Sequence, residues 1–86
     1  MRVARRVRFD ADTVVPPHLF SILARLVDQP RTVGELAAME RVSAPTMSRA
    51  VAQLTDQGYV VRSADEHDGR LVRLSLTPEG STLVTE

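Results

Sequence analysis

The sequence predicts an α+β domain in which three helices are followed by a two-stranded antiparallel hairpin. Apolar residues recur at three- and four-residue steps in three stretches, each opened by a helix-start signal. After the third stretch the pattern changes to two short β-prone runs separated by a polar segment containing glycine. A chain of 86 residues makes one small domain, and 43% hydrophobic residues is ordinary for a globular protein rather than a disordered one.

The first helix begins at Pro16 and Pro17, since proline is tolerated in a first turn. Leu19, Ile22, Leu23, Leu26 and Val27 follow a 3.6-residue period and mark a core helix. It must stop by Gln29, because Pro30 disfavours helical geometry in the residue before it. Ahead of it, residues 1–15 carry Arg2, Arg5, Arg6 and Arg8 around Val3, Val7 and Phe9. A solvated basic arm, a phosphate-contacting arm and the remnant of a dimerisation helix all fit that segment.

Thr32-Val33-Gly34-Glu35 matches a capping box, with Thr32 bonding forward and Glu35 bonding back. The short helix it opens runs to about Glu40 and buries Leu36, Ala37 and either Val33 or Met39. Arg41-Val42 makes a tight turn, and the small residues Ala37 and Ala38 let the next helix cross closely. That third helix is capped by Ser43, carries Pro45 in its first turn and ends at Gly58, a residue suited to left-handed geometry. Met47, Ala50, Val51 and Leu54 form its apolar stripe, while Thr46, Ser48, Arg49 and Gln53 occupy the opposite side. Short and forked hydrogen-bonding groups, with no acid before Asp56, are what a helix needs to lie in the major groove of double-stranded DNA. Two helices joined by a short turn, the second with a polar outer face, describe a helix-turn-helix.

Tyr59-Val60-Val61-Arg62 is β-prone, and Leu71–Leu76 alternates Val72, Leu74 and Leu76 against Leu71, Arg73 and Ser75. Between them SADEHDGR has the length and polarity of a hairpin loop. A helix-turn-helix followed directly by a hairpin is a winged helix-turn-helix, here spanning residues 16–77. Thr77-Pro78-Glu79 supplies a cap, a first-turn proline and an early acid, so a further helix starts in residues 78–86.

Composition narrows the function classes. Positive and negative side chains balance at 11 each, and a nucleic-acid binder is more often basic. Every positive charge is Arg and none is Lys, which suits bidentate contacts to guanine and phosphate. The absence of Cys excludes disulfides and thiolate metal sites. No apolar run approaches the roughly 18 residues that span a membrane, and MRVARRVRF lacks the apolar core of a secretory signal. The expected location is cytoplasmic. His18 and His67 are the only histidines, and Asp65, His67 and Asp68, neighbours in one loop, make a poor metal cage. No Gly-rich phosphate loop or nucleophile–base pattern appears, so no enzyme, metal or cofactor is expected.

The run TVGELAAMERVSAPTMSRAVAQLTDQGYVVR, followed by DGRLVRLSLTPEG, resembles the MarR family of bacterial winged-helix regulators. The likeness covers Thr32 to Gly80, because helix spacing, the GYVVR strand and the wing-to-LTPEG run fall in register. It implies a homodimer that binds a pseudo-palindromic operator and represses a nearby gene, in some relatives under control of a small phenolic-type ligand. Family members are longer and dimerise through helices at both ends, of which this sequence shows little. By the same resemblance, Ser43, Pro45, Thr46, Ser48 and Arg49 fall where the recognition helix meets the major groove. Thr32 falls where the preceding helix meets a phosphate, and Arg70 where the wing enters the minor groove. Asp68 and Arg70 match the wing's acid-x-arginine motif, and the resemblance makes Arg62 a wing-base residue able to pair with a wing carboxylate. Within the loop, Asp68 is expected to brace an arginine while Asp65 and Glu66 point outward.

The expected function is sequence-specific DNA binding, with residues 43–57, including Gln53, in the major groove and residues 63–71 at the minor groove. The competing function is a winged helix that docks a protein through the same outer face. Against it, that face lacks aromatic or large aliphatic anchors, the only aromatics being Phe9, Phe20 and Tyr59.

Overall fold

Pro16 and Pro17 open the first helix, α1 (Pro17–Arg25), in a computed structural model that describes residues 15–85. Leu19, Ile22, Leu23 and Leu26 are buried, as the helical period requires. Val27 is not: it is 52% exposed. The helix closes at Arg25, where Leu26 N–H bonds to Leu23 O and Val27 N–H to Ala24 O, both i to i−3 contacts. That tighter turn rotates Val27 off the apolar stripe before Pro30 is reached. The basic-arm reading of residues 1–15 falls almost wholly outside the described residues.

Arg31 forms a one-residue bridge to Leu74, with its N–H 3.1 Å from Leu74 O and its carbonyl 2.8 Å from Leu74 N. Helix α2 (Val33–Glu40) follows, with both capping-box bonds present at 3.0 Å. Leu36 and Ala37 are buried and Val33 packs against the core, whereas Met39 is only half-buried. Ala38 is exposed, so the close approach to the next helix rests on Ala37 and not on an alanine pair.

Helix α3 (Ala44–Asp56) is capped by Ser43, whose Oγ accepts from Thr46 N–H at 3.2 Å. Met47, Val51 and Leu54 are buried and Ala50 is half-buried against the same core. Gly58 takes φ +85°, and Gly58 N–H and Tyr59 N–H return to Thr55 O and Leu54 O, ending the helix as its sequence predicts.

The hairpin pairs β1 (Val60–Ala64) with β2 (Val72–Leu76) in antiparallel register, Val60 opposite Leu76 and Arg62 opposite Leu74. Its strands reach further into the loop than the β-prone run suggests, taking in Ser63 and Ala64, and Tyr59 lies just before β1. Leu74 and Val60 face the core; Val72, at the other end of β2, is exposed. Thr77 then caps α4 (Pro78–Thr85): its Oγ1 accepts from Gly80 N–H and donates to Gly58 O at 2.6 Å. One core therefore joins all three preceding helices to the hairpin, and the described residues leave the outer side of α3 and the tip of the hairpin uncovered. No helix among the described residues is long and apolar enough to cross a membrane.

Candidate nucleic-acid interface

The start of α3 carries a linked set of polar side chains. Thr46 N–H donates to Ser43 Oγ, Ser43 Oγ donates to Thr46 Oγ1 at 2.9 Å, and Arg49 Nη2 reaches the same Oγ1 at 3.4 Å. The i, i+3 spacing that builds the apolar stripe on one side therefore aligns Ser43, Thr46 and Arg49 on the other. Gln53 continues that face one turn later, and Ser48 and Pro45 flank it, all exposed. The network orients the Arg49 guanidinium while leaving most of its five donors unused. An arginine so presented can make a bidentate bond to guanine O6 and N7 or to a phosphate.

The hairpin tip is ordered by its carboxylates. Asp65 Oδ2 accepts from the N–H groups of His67 and Asp68, at 2.9 and 3.0 Å, and its Oδ1 accepts from Arg73 Nε. The Arg73 guanidinium beside it holds the Asp65 carboxyl below its ordinary value of 3.8, helped by the His67 N–H. The same pairing raises Arg73. Asp65 thus points inward, with a side chain 12% exposed, contrary to the outward orientation its loop position implies. The reason lies in the loop closure: Asp65 N–H bonds to Leu71 O at 2.9 Å, which turns the side chain back over β2. Asp68 braces Arg70 as expected, accepting from its N–H at 3.0 Å and its Nε at 3.2 Å. Arg70 itself is 93% exposed at the tip.

Arg62, expected to pair with a wing carboxylate, has no such partner among the described residues; Arg73 takes that role. Arg73 also reaches Glu35 Oε1 at 3.5 Å, and Glu35 is the residue that closes the capping box on Thr32. Thr32 sits at the N-cap as predicted, with its N–H committed to Glu35 and its hydroxyl accepting from Glu35 N–H. Only its hydroxyl proton remains for a phosphate, beside a carboxylate that Arg73 partly neutralises. The structure therefore joins Ser43, Thr46 and Arg49 into one network and ties Thr32 to the wing through Arg73; Arg70 joins the second set only through Asp68, and Arg62 joins neither.

Ion pairing sorts the charges of a neutral chain. Arg25 pairs with Glu40, Arg31 with Asp28, Arg70 with Asp68, and Arg73 with Asp65 and Glu35. Among the described residues this leaves Arg41, Arg49 and Arg62 without a carboxylate partner, at the turn before α3, on α3 and on the strand packed against α3. Sequence reasoning missed Arg73 and Arg41. The first could be found only once the loop register placed Asp65, and the second only from the backbone of the turn. No group of three or more His, Asp or Glu side chains suited to a metal ion occurs among the described residues.

Comparison with known proteins bears on this surface. A model of the MarR family matches residues 15–71. An uncharacterized HTH-type transcriptional regulator of Mycobacterium leprae is 40% identical over 86 residues, 98% of this chain and 60% of that protein. An HTH-type transcriptional regulator of Mycobacterium tuberculosis is 38% identical over the same shares. The chain thus spans 60% of the length of the curated relatives it matches. A transcriptional regulator from Thermotoga maritima superimposes with a TM-score of 0.80 at 30% identity, over 85% of this chain and 52% of that one. Lactococcus lactis ZitR gives 0.81 at 23% identity over 91% and 53%, a likeness of fold alone.

Proposed function

The chain belongs to the MarR family of transcriptional regulators, and we propose that it binds double-stranded DNA in a sequence-specific manner and represses transcription by occupying its site. The observation that carries this reading is the Ser43–Thr46–Arg49 network, which presents an unpaired guanidinium on an exposed helix face with no acid before Asp56. In this reading α3 enters the major groove, with Arg49 and Gln53 toward base edges and Ser43, Pro45, Thr46 and Ser48 against the groove wall and backbone. A good bidentate contact from Arg49 discriminates against a wrong base by about 1–3 kcal/mol. Arg70, exposed at the wing tip and braced by Asp68, enters the adjacent minor groove, where negative potential is concentrated. Thr32 contacts a phosphate, and Asp68 and Arg73 hold the wing in place.

Neutral net charge is compatible with this role, because two of the three wing carboxylates, Asp68 and Asp65, are paired with Arg70 and Arg73 and only Glu66 stays exposed without an arginine among the described residues. Two copies on a pseudo-palindrome would double the contacts and fix half-site spacing, so a homodimer is part of the proposal. Chromosomal DNA as the partner places the protein in the cytoplasm.

Selection of bound duplexes from a random pool tests the reading. The chain should enrich one motif, and Arg49→Ala should lose preference at a guanine within it while retaining the rest. Enrichment of no motif would contradict sequence-specific binding; a uniform loss of affinity in Arg49→Ala would make Arg49 a phosphate contact instead.

A further inference from the structure

Arg41 is the only non-glycine residue among the described ones with a positive φ, +60°. It lies where α2 ends, its own N–H 3.3 Å from Ala38 O and the next N–H, of Val42, 3.0 Å from Ala37 O. Those bonds close the turn of the helix-turn-helix and require left-handed backbone at this position. Glycine meets that requirement without crowding, and asparagine meets it nearly as well. A long β-carbon-bearing side chain does not, because Cβ approaches the following carbonyl. Folding therefore gains nothing from arginine at this place.

Nor does packing or pairing explain it. Arg41 is exposed, and among the described residues its guanidinium has no hydrogen-bond or carboxylate partner. Arg25, Arg31, Arg70 and Arg73, by contrast, each bind a carboxylate of their own fold. Strained backbone held by a residue that contributes nothing to the fold is a mark of a functional position. The position itself is suggestive: Arg41 stands two residues before Ser43, the cap of α3, at the turn that leads into that helix.

We infer that Arg41 is a DNA-phosphate contact, which grips the duplex backbone beside the groove that α3 enters and so sets the depth of that helix. This rests on the DNA-binding reading above and adds a binding residue to it. The contact is to backbone, not to base edges, so it positions the helix without selecting sequence. Its guanidinium fork suits the two free oxygens of a phosphate.

The strain and the contact act in opposite directions, and that makes the inference testable. The chain, Arg41→Gly, Arg41→Lys and Arg49→Ala are each titrated with salt while bound to a fluorescent random-sequence duplex, and each is melted. Arg41→Gly should melt no lower than the parent, yet bind roughly threefold to tenfold more weakly at ~0.1 M salt, with a log–log salt slope smaller by about 0.9. Arg41→Lys should keep the parent slope. Arg41→Gly binding like the parent at every salt concentration would overturn the inference, as would a lowered melting temperature with an unaltered slope. If Arg41→Gly is unaffected but Arg49→Ala is weakened, the inference about Arg41 fails and the DNA-binding reading stands. A parent chain that binds no duplex at the lowest salt overturns both.

Discussion

Arg73 on β2 donates through Nη1 to Oε1 of Glu35 on α2, across 38 positions of sequence, while its Nε binds Asp65 at the hairpin tip. One guanidinium thus links the wing loop to the residue that caps α2. The hairpin is otherwise attached to the helices through Val60 and Leu76 at its base and through Leu74, with its Arg31 bridge, at the middle of the ladder. Without Arg73 the tip has nothing but its own turn to hold it.

Arg73→Ala should therefore free the wing without unfolding the core. The expected result is faster amide hydrogen exchange at His67 and Asp68, and a loss of DNA affinity of less than about tenfold, since exposed pairs are screened by solvent. The preferred sequence should stay the same, because Arg73 positions the wing and reads no base. Parent-like exchange at both amides would show that the Asp65 turn is self-sufficient.

Much of this architecture is legible in the sequence where the signal is local. Thr32 with Glu35, Ser43 with Thr46, and Gly58 each act within four residues, and each takes its predicted role. Features that depend on where the chain goes next are not legible. Val27 continues the apolar period of α1, but periodicity does not say where a helix closes, and the closure at Arg25 leaves it in solvent. Arg62 is the expected partner for a wing acid, but the register sets Arg62 opposite Leu74 and the loop turns Asp65 toward Arg73, which the sequence does not single out. The left-handed Arg41 has no local signal at all, because the residue type argues against the conformation. For the interface, the polar face of α3 follows from spacing, whereas the partition of paired and unpaired arginines needed the three-dimensional structure.

Acid should destabilise the fold in a defined window. Arg25, hydrogen-bonded to Glu40, holds that carboxyl below its ordinary value of 4.5, with Ser21 Oγ also donating to it. Arg73 does the same for Asp65, whose ordinary value is 3.8. Both groups have folded values depressed below unfolded ones, so their stabilisation is complete above the unfolded values and is lost as pH falls through the folded ones. The melting temperature should be level from neutrality to about pH 5 and decline below it. Glu40→Gln combined with Asp65→Asn should melt lower at neutral pH and show a shallower acid decline. An equally steep decline in that double variant would place the acid sensitivity elsewhere.

Gly80 is buried in the first turn of α4, and a Cβ there would meet the Tyr59 carbonyl and Leu76 Cδ2. The same Tyr59 carbonyl accepts from Thr77 N–H at 3.0 Å, so it is fixed on both sides. Gly80→Ala should destabilise the domain by about 1–3 kcal/mol by overpacking. Gly34→Ala, in α2 with its nearest neighbour at 3.9 Å, should instead stabilise by up to about 1 kcal/mol, as alanine is the better helix former. Thermal melts of the two variants check the opposed signs; a neutral Gly80→Ala would mean that α4 can move off the hairpin at little cost.

The claim on which the rest depends is that the α3 and wing face binds duplex DNA. The direct measurement is fluorescence anisotropy of a labelled random-sequence duplex titrated with this chain at increasing salt. Affinity should be about micromolar at low salt, with log affinity falling linearly against log salt as arginines displace the counterions of the phosphates. No binding at the lowest salt, or binding indifferent to salt, would contradict it and favour a protein partner for the same face.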